Sequence, residues 1–130
     1  MIVVDASALV TALGIDEGIG EAGRVRLLGV QLVAPELIDL EVISVLRRAR
    51  RSRRMDDRRC GQALTDLREL DMRRVSHLPF VNRIWELRDI LSAYDASYVA
   101  LAEALGAPLI TADRRLARAK GLRCEVELLS

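Results

Sequence analysis

The sequence predicts an α/β fold: a three-layer sandwich in which a mainly parallel, twisted β-sheet is flanked by helices. Short, continuous apolar runs such as Ile2–Val4 and Leu109–Ala112 are typical of strands buried on both faces, as in parallel sheets. The segments between such runs repeat their apolar residues at helical spacing, and strands that alternate with helices build parallel sheets. With 130 residues, the chain is expected to form one domain over residues 1–130.

The first half of the chain is predicted to begin with a strand and a short helix and to end in two longer helices. Pro35 is expected to end the second strand, because proline has no N–H to donate to a neighbouring strand. In chain order, the predicted elements are a strand over Met1–Val4, a helix over Ser7–Leu13, a loop over Gly14–Gly20, a helix over Glu21–Leu28, a strand over Val30–Ala34, a helix from Glu36 past Arg50 and a helix over Asp56–Leu70.

The second half is predicted to contain three more strands and three more helices. Gly106 is a good residue to end a helix, since glycine adopts left-handed backbone angles without strain. In chain order, the predicted elements are a strand over Val75–Leu78, a helix carrying the apolar stripe of Phe80, Ile84, Leu87 and Leu91, a helix over Asp95–Leu105, a strand over Pro108–Ala112, a short helix over Arg114–Ala119 and a strand over Arg123–Leu128.

The composition is that of a globular protein, with 51% hydrophobic and 30% charged residues. No apolar run approaches the roughly 18 residues of a membrane span, and the first residues do not resemble a signal peptide. We therefore expect a cytoplasmic protein. Cys60 and Cys124 stand alone without CxxC spacing, which makes a metal site built on thiolates improbable.

Four acidic residues stand where the predicted elements should be building apolar core. Asp5 closes the first strand, Glu41 interrupts the apolar face of the long helix, Asp95 opens an alanine- and leucine-rich helix, and Asp113 follows the strand that ends at Ala112. Carboxylates are rarely buried unless they are paired or bind a metal. Ligands of parallel α/β folds bind at the carboxyl ends of the strands, where two of the four lie. The set therefore suggests a site for a divalent cation.

Each of these acids also has an ordinary structural explanation when it is considered alone. Asp5 and Asp113 each precede a predicted helix and could cap its N-terminus. Asp95 could be a first-turn acid favoured by the helix dipole. Glu41 is harder to explain, because it lies on the apolar face of its helix; the alternative is pairing with an internal arginine.

Four carboxylates in one pocket would need a compensating cation or would hold protons. Two unit charges 4 Å apart repel by roughly 4 kcal/mol at an effective dielectric constant of 20. Ligation by oxygen alone suits Mg²⁺ or Mn²⁺, and the lack of nearby histidine and cysteine argues against zinc. Mg²⁺ held by few carboxylates and several waters is a common arrangement in phosphoryl transfer.

Positive charge is concentrated in residues 47–59, although the formal net charge of the chain is only +1. All basic residues except Lys120 are arginines, which suit bidentate contacts to phosphate. The candidates for contacts to an RNA backbone are Arg47, Arg50, Arg51, Arg53 and Arg54. The alternative is a solvated helix end, and the sequence leaves both explanations open.

Four blocks of sequence carry a family resemblance through their order and spacing. They are Ile2–Ser7, Pro35 with Glu41 and Val45–Arg47, Tyr94–Tyr98, and Leu109–Asp113. Together they resemble the PIN-domain ribonucleases, and among them the VapC toxins of bacterial toxin–antitoxin pairs. The resemblance covers essentially the whole chain. It implies a PIN-like sandwich and an endoribonuclease that depends on Mg²⁺ or Mn²⁺, is inhibited by a cognate VapB-type antitoxin and is usually a homodimer.

The resemblance also assigns roles to individual positions of this sequence. By position, Asp5, Glu41, Asp95 and Asp113 would form the acidic quartet of the active site. Asp5 and Asp95 would ligate a metal ion directly, whereas Glu41 and Asp113 would hold a second ion or position water. Three hydroxyl residues would support the acids: Ser7, Thr111 and Ser44, the last of which replaces an asparagine that is frequent in the family.

Other classes of protein fit the sequence less well. An aspartyl-phosphate enzyme of the haloacid dehalogenase type needs an aspartate where Ser7 stands, and a receiver domain needs a lysine closer to a strand end than Lys120. A non-catalytic RNA-binding or assembly module on the same fold would be marked by lost acids, and none of the four is lost. Phe80 and Trp85 are expected to pack in the helix layer, so RNA shape and single-stranded loops would determine specificity. The particular RNA target and the number of metal ions remain open.

Overall fold

The computed structural model describes residues 1–15 and 20–129. The predicted loop over Gly14–Gly20 falls largely on residues 16–19, which lie outside the described part. In the described part, the elements in chain order are β1 (Ile2–Val4), α1 (Ala6–Ala12), α2 (Gly20–Leu27), β2 (Leu32–Pro35), α3 (Leu37–Arg51), α4 (Asp57–Glu69), β3 (Met72–Val75), a short 3₁₀ turn (Leu78–Phe80), α5 (Val81–Glu86), α6 (Ala93–Leu105), β4 (Leu109–Thr111), α7 (Arg114–Ala117) and β5 (Val126–Leu128).

The five strands form one sheet in the order β3-β2-β1-β4-β5, and every neighbouring pair is parallel. The chain moves from β1 towards β3 and then returns across the sheet to β4 and β5. Because such crossovers are right-handed, α1 to α4 lie on one face of the sheet and α5 to α7 on the other. This is the predicted three-layer α/β sandwich. The order reverses between β1 and β4, and the crevice at such a switch point is where ligands bind.

The core is densest around the two central strands. Every residue of β1 and β4 is buried, and Val3 lies in register with Val33 on one side and Leu109 on the other. Helix α6 packs against both strands and against β2, and its residues Ala96–Ala102 are all buried. The small side chains of this helix allow it to lie close to the sheet, which fixes the carboxyl ends of β1 and β4 in a rigid frame.

The third strand lies earlier in the chain than the prediction of Val75–Leu78. The structure has β3 at Met72–Val75, at one edge of the sheet. The arginines Arg73 and Arg74 interrupted the apolar run that would have marked it. An edge strand tolerates such charges. Arg74 is held by the Asp39 carboxylate, with nitrogen–oxygen distances of 2.8 and 2.9 Å.

The predicted helix over the Phe80–Leu91 stripe is only partly correct. Regular helix is limited to α5, after which Ile90 and Leu91 donate backbone hydrogen bonds to the Leu87 carbonyl as turns. Those turns keep the apolar residues on one side without a continuous helix. Phe80 packs against the core as expected, but Trp85 is 67% exposed, so the prediction that it packs in the helix layer was wrong.

Several other boundaries differ from the prediction, among them β2, which begins at Leu32 rather than Val30 and includes Pro35 as its last residue. Helix α6 begins at Ala93 rather than Asp95, because the Ser92 hydroxyl caps it by accepting a hydrogen bond from the Asp95 N–H at 3.2 Å. Helix α7 and strand β5 are each shorter than predicted. Gly106 ends α6 with φ of 61°, as its residue type indicated. No helix in the described ranges is long and apolar enough to cross a membrane.

Candidate active site

Asp5 lies at the carboxyl end of β1 and is only 4% exposed. Its Oδ1 atom accepts hydrogen bonds from the Ser7 hydroxyl at 2.6 Å and from the Ala8 N–H at 2.9 Å. Its Oδ2 atom accepts a short hydrogen bond from the Thr111 hydroxyl at the end of β4. The Ser7 and Thr111 hydroxyl oxygens are themselves 3.2 Å apart, so one small network joins the ends of the two central strands.

Asp5 therefore caps the N-terminus of α1, as its ordinary structural explanation predicted. Capping does not use every acceptor position of its carboxylate. Two oxygens offer about four acceptor positions, and the three hydrogen bonds occupy three of them. One position, on Oδ2, remains for a further ligand, and the carboxylate that would present it is held rigidly by its donors.

Glu41 lies on the second turn of α3, where its Oε1 atom accepts a hydrogen bond of 2.6 Å from the Tyr98 hydroxyl. The alternative of an internal arginine partner is thus wrong, since the donor is a phenol. Tyr98 is 1% exposed and projects from α6, on the opposite face of the sheet from α3. The bond therefore joins the two helical layers beyond the end of the sheet. Sequence reasoning missed Tyr98 as part of the site, although a buried tyrosine usually needs a hydrogen-bond partner.

Asp95 and Asp113 come from the other side of the switch point. Asp95 is half-buried in the first turn of α6. Asp113 caps α7, where its Oδ1 atom accepts a hydrogen bond from the Arg115 N–H at 2.8 Å. Its Oδ2 atom lies 3.4 Å from the Arg115 guanidinium. Both acids thus have the local roles that their ordinary explanations predicted, while their carboxylates remain at the edge of the crevice.

All four predicted acids line a single cavity of about 650 Å³. They come from four separate segments of the chain, which meet where β1 and β4 end. Ser7 and Ser44 also line the cavity, whereas Thr111 lies behind Asp5 as its hydrogen-bond donor. Ser44 is exposed on α3, one turn after Glu41.

Burial of the Asp5 carboxyl raises its pKa above the ordinary value. The hydrogen bonds from Ser7, Thr111 and the Ala8 N–H oppose this rise because they favour the charged form, while the charge of Asp95 adds to it. The network therefore partly compensates the carboxylate for its loss of water. A cation close to Asp5 and Asp95 would remove the remaining penalty.

The pKa values of Glu41 and Asp95 are raised as well, again mainly by burial. The hydrogen bond from Tyr98 lowers the pKa of Glu41, but the charge of Asp95 raises it. The charge of Asp113 raises the pKa of Asp95, whereas Arg115 lowers it. Three neighbouring acids with raised pKa values are typical of a functional site rather than of a surface.

The donor set fits a hydrated Mg²⁺ or Mn²⁺ ion. Among the described residues, no three histidine, cysteine, aspartate or glutamate side chains gather closely enough to hold one ion by themselves. The four carboxylates therefore line one cavity, but they do not converge on a single ion position. Zinc and calcium sites are built from several protein ligands, whereas Mg²⁺ keeps most of its waters and binds one or two carboxylates.

None of the five predicted RNA-binding arginines lines this cavity. Arg50, Arg51 and Arg53 line a separate surface pocket at the turn between α3 and α4, where Arg50 pairs with Asp57. At 1.5 Å per residue, Arg50 lies roughly 13 Å along the helix axis from Glu41. Two other arginines line the cavity itself, Arg48 on α3 and Arg115 on α7.

Sequence reasoning also missed an apolar groove of about 540 Å³ beside the carboxylate cavity. Leu37 and Tyr94 line both, and the exposed ring of Trp85 lies in the groove with the Arg88 guanidinium 4.6 Å from its centre. No alternation or spacing in the sequence marks such a groove.

Comparison with known proteins identifies the family to which the chain belongs. Residues 2–122 match the PIN domain. The chain is 43% identical to ribonuclease VapC9 of Mycobacterium tuberculosis over 99% of this chain and 98% of that protein. It is 39% identical to ribonuclease VapC12 of the same organism over the full length of both. The chain therefore belongs to the PIN-domain family, in its VapC branch. The VapBC2 structure from Rickettsia felis, bound to a DNA fragment from its promoter, has the same fold, with a TM-score of 0.65 and 15% identity over both full chains.

Proposed function

We propose that this protein is an endoribonuclease that cleaves cellular RNA with Mg²⁺ or Mn²⁺, as the toxin of a type II toxin–antitoxin system. The observation that carries the proposal is the cavity at the switch point, where Asp5, Glu41, Asp95 and Asp113 come together from four segments. The names of the VapC relatives, which are ribonucleases, support the reaction class. Since the proposed substrate is cellular RNA, we place the activity in the cytoplasm.

In this proposal, Asp5 and Asp95 would hold the ion. Asp5 has one acceptor position left on Oδ2, and Asp95 lies close enough for its charge to raise the pKa of Asp5. Glu41 and Asp113 would hold a second ion or position water. A bound divalent ion would supply a water of lowered pKa and would neutralise charge on the phosphate.

The protein's own side chains would prepare the cavity for that chemistry. Ser7 and Thr111 fix the orientation of the Asp5 carboxylate, and Tyr98 does so for Glu41. Because Tyr98 occupies Oε1 of Glu41, the Oε2 atom is the one that would accept a proton from the attacking water. Ser44 would contribute a hydroxyl to the wall of the cavity.

The proposal includes a partner and a general contribution from surface charge. A small VapB-type antitoxin would inhibit the enzyme by placing a guanidinium against the carboxylates, since an arginine can satisfy two carboxylate oxygens at once. The active form would be a homodimer. The exposed arginines at the end of α3 would attract RNA over a longer range; they are Arg47, Arg50, Arg51, Arg53 and Arg54.

The test is cleavage of single-stranded and structured RNAs by the purified protein with Mg²⁺ or Mn²⁺ and with EDTA. Cleavage should require the ion and should be lost in Asp5→Asn. Asp71→Asn, which neutralises an exposed acid outside the cavity, is the matched control and should retain activity. Cleavage that persists in EDTA would contradict the proposed chemistry. Binding of RNA without any cleavage would favour a non-catalytic module.

A further inference from the structure

Two arginines stand among the carboxylates of the cavity, and the proposed chemistry uses neither of them. Arg48 lies on α3, two turns after Glu41 on the same side of the helix, and its side chain is exposed. Within the described residues, Arg48 makes no hydrogen bond through its side chain and no ion pair. Arg115 lies on α7, and 89% of its side chain is exposed.

The topology places these two side chains on opposite sides of Asp5. Helix α3 follows β2, and α7 follows β4; these strands are the two neighbours of β1, which ends at Asp5. Helices α3 and α7 belong to different helical layers. Adjacent strands lie about 4.8 Å apart, so the carboxyl ends of β2 and β4 lie about 10 Å from each other across β1. A guanidinium is thus available on each side of the carboxylates.

Ion pairs with the acids of the cavity do not account for the presence of both arginines. Arg115 touches Asp113 at 3.4 Å, a long and exposed contact that contributes little stability. Arg48 has no carboxylate partner among the described residues. Its charge is therefore available to a ligand. A cavity with four carboxylates would repel a polyanion, so an RNA backbone that is to approach Asp5 needs positive charge beside it.

We infer that Arg48 and Arg115 form a two-sided clamp that binds RNA phosphates on either side of the position to be cut. The inference rests on the proposed function and deepens it, since it assigns the contacts that bring the RNA backbone over the carboxylates. Guanidinium groups suit this role because they bind phosphate oxygens in a fork geometry. Both would be positioning residues that act on substrate binding.

The chain supplies a matched control for each arginine. Arg47 and Arg114 are their immediate neighbours, and both are exposed, but neither lines the cavity. Replacing a cavity arginine or its own neighbour by glutamine removes one positive charge from nearly the same part of the surface. A difference between Arg48→Gln and Arg47→Gln, or between Arg115→Gln and Arg114→Gln, therefore reports geometry rather than net charge.

The experiment measures binding of a labelled single-stranded RNA in EDTA over a range of salt concentrations, so that cleavage does not interfere. Loss of one phosphate contact should make the negative slope of log K against log salt shallower by about 0.7. The Arg48→Gln/Arg115→Gln double variant loses two contacts, so its slope should be shallower by about 1.4. Arg47→Gln should change the slope by less than Arg48→Gln, because Arg47 contributes only long-range attraction to RNA, and Arg114→Gln should leave the slope nearly unchanged. Arg48→Lys should restore the slope in large part, because the charge returns. Melting temperatures should stay unchanged, since all four side chains are exposed.

Cleavage assays separate this inference from the proposed function. In Mn²⁺, the clamp variants should raise KM more than they lower kcat. If the wild-type protein cleaves RNA but Arg48 and Arg115 variants behave like their neighbours, the clamp is wrong and the proposed function stands. If the wild-type protein neither binds nor cleaves RNA, both are overturned.

Discussion

The carboxylate cavity and the arginine-rich turn between α3 and α4 both concentrate charge of one sign, but the fold treats them differently. The acids of the cavity come from distant segments and lie at least partly out of water, and burial, together with the charge of neighbouring acids, raises the pKa of three of them. The arginines of the turn are neighbours in sequence, point into solvent and include an exposed pair between Arg50 and Asp57.

This difference separates charge that needs a functional explanation from charge that does not. Exposed arginines cost little to place, because water solvates each of them. Partly buried acids of one sign destabilise the fold unless something compensates them. The cavity is therefore the feature that a ligand must explain, whereas the turn can be a solvated surface that also attracts RNA.

The largest expected effect is on the chemistry of the cavity. Asp5→Asn or Asp95→Asn should lower RNA cleavage by about 10³-fold or more, since metal-ion catalysis supplies several kcal/mol. Single-turnover assays at saturating RNA would measure it. Asp57→Asn, which alters the pair in the turn, should leave the rate within a few-fold. Equal losses in the cavity and the turn would remove the distinction between them.

Removing the Tyr98 hydroxyl should have the next largest effect. Tyr98→Phe keeps the buried ring but deletes the 2.6 Å hydrogen bond to Glu41. We expect a loss of 10- to 100-fold in activity or metal affinity, the usual result of removing a group that orients a ligand. Stability should fall by only about 1 kcal/mol. A variant with full activity and full Mn²⁺ affinity would show that Glu41 needs no orientation.

The third effect is on stability and pH in the absence of metal. The raised pKa values of Asp5, Glu41 and Asp95 mean that the native state binds more protons than the unfolded chain above the ordinary carboxyl range, about pH 4. Stability must then fall as pH rises through the raised values. We expect the melting temperature in EDTA to decrease as the pH rises from just above the ordinary carboxyl range towards neutrality. Glu103 and Glu127 have lowered pKa values, so the stability that they contribute is lost only at more acidic pH.

Asp95→Asn tests the origin of that pH dependence. It should flatten the decrease and stabilise the metal-free protein at neutral pH, because it relieves repulsion from Asp113. Asp5→Asn should stabilise it less, since a single amide oxygen cannot accept the bonds from Ser7, Ala8 and Thr111 that the carboxylate accepts. Mn²⁺ should remove most of the dependence in the wild type. A melting temperature that rises from pH 5 to pH 7 in EDTA would contradict this account.

The smallest expected effect concerns the turn itself. Replacing Arg50, Arg51, Arg53 and Arg54 by glutamine should flatten the salt dependence of RNA binding and weaken it at low salt, because long-range attraction is lost. The rate at saturating RNA should be retained, since these side chains lie away from the cavity. Binding curves at several salt concentrations would measure this. An unchanged slope would show that the arginines of the turn form only a solvated surface.

Sequence patterns predicted the part of the site that rests on local signals. Asp5 and Asp113 were identifiable because each follows an apolar run at a strand end, and Glu41 because it interrupts an apolar helical face. The fold class followed from the alternation of such runs with helices. The third strand was misplaced because two arginines disguised it, and its pairing with β2 is a tertiary interaction.

What the sequence could not supply were contacts between distant segments. The bond from Tyr98 to Glu41 spans two helical layers, and the exposure of Trp85 depends on which face of α5 packs against the core. Arg48 lies seven residues after Glu41 and so on the same helical face, but the run of arginines around it gives no sign of that position in the sequence. Only the three-dimensional arrangement separates Arg48 from Arg47.

The central claim is that the carboxylate cavity binds a divalent cation, and titration of the RNA-free protein with Mn²⁺ by calorimetry tests it most directly. The account predicts saturable binding in the wild type that is lost in Asp95→Asn. Binding should be retained when Arg50, Arg51, Arg53 and Arg54 are replaced by glutamine. Absence of binding in the wild type, or equal binding in Asp95→Asn, would contradict the claim.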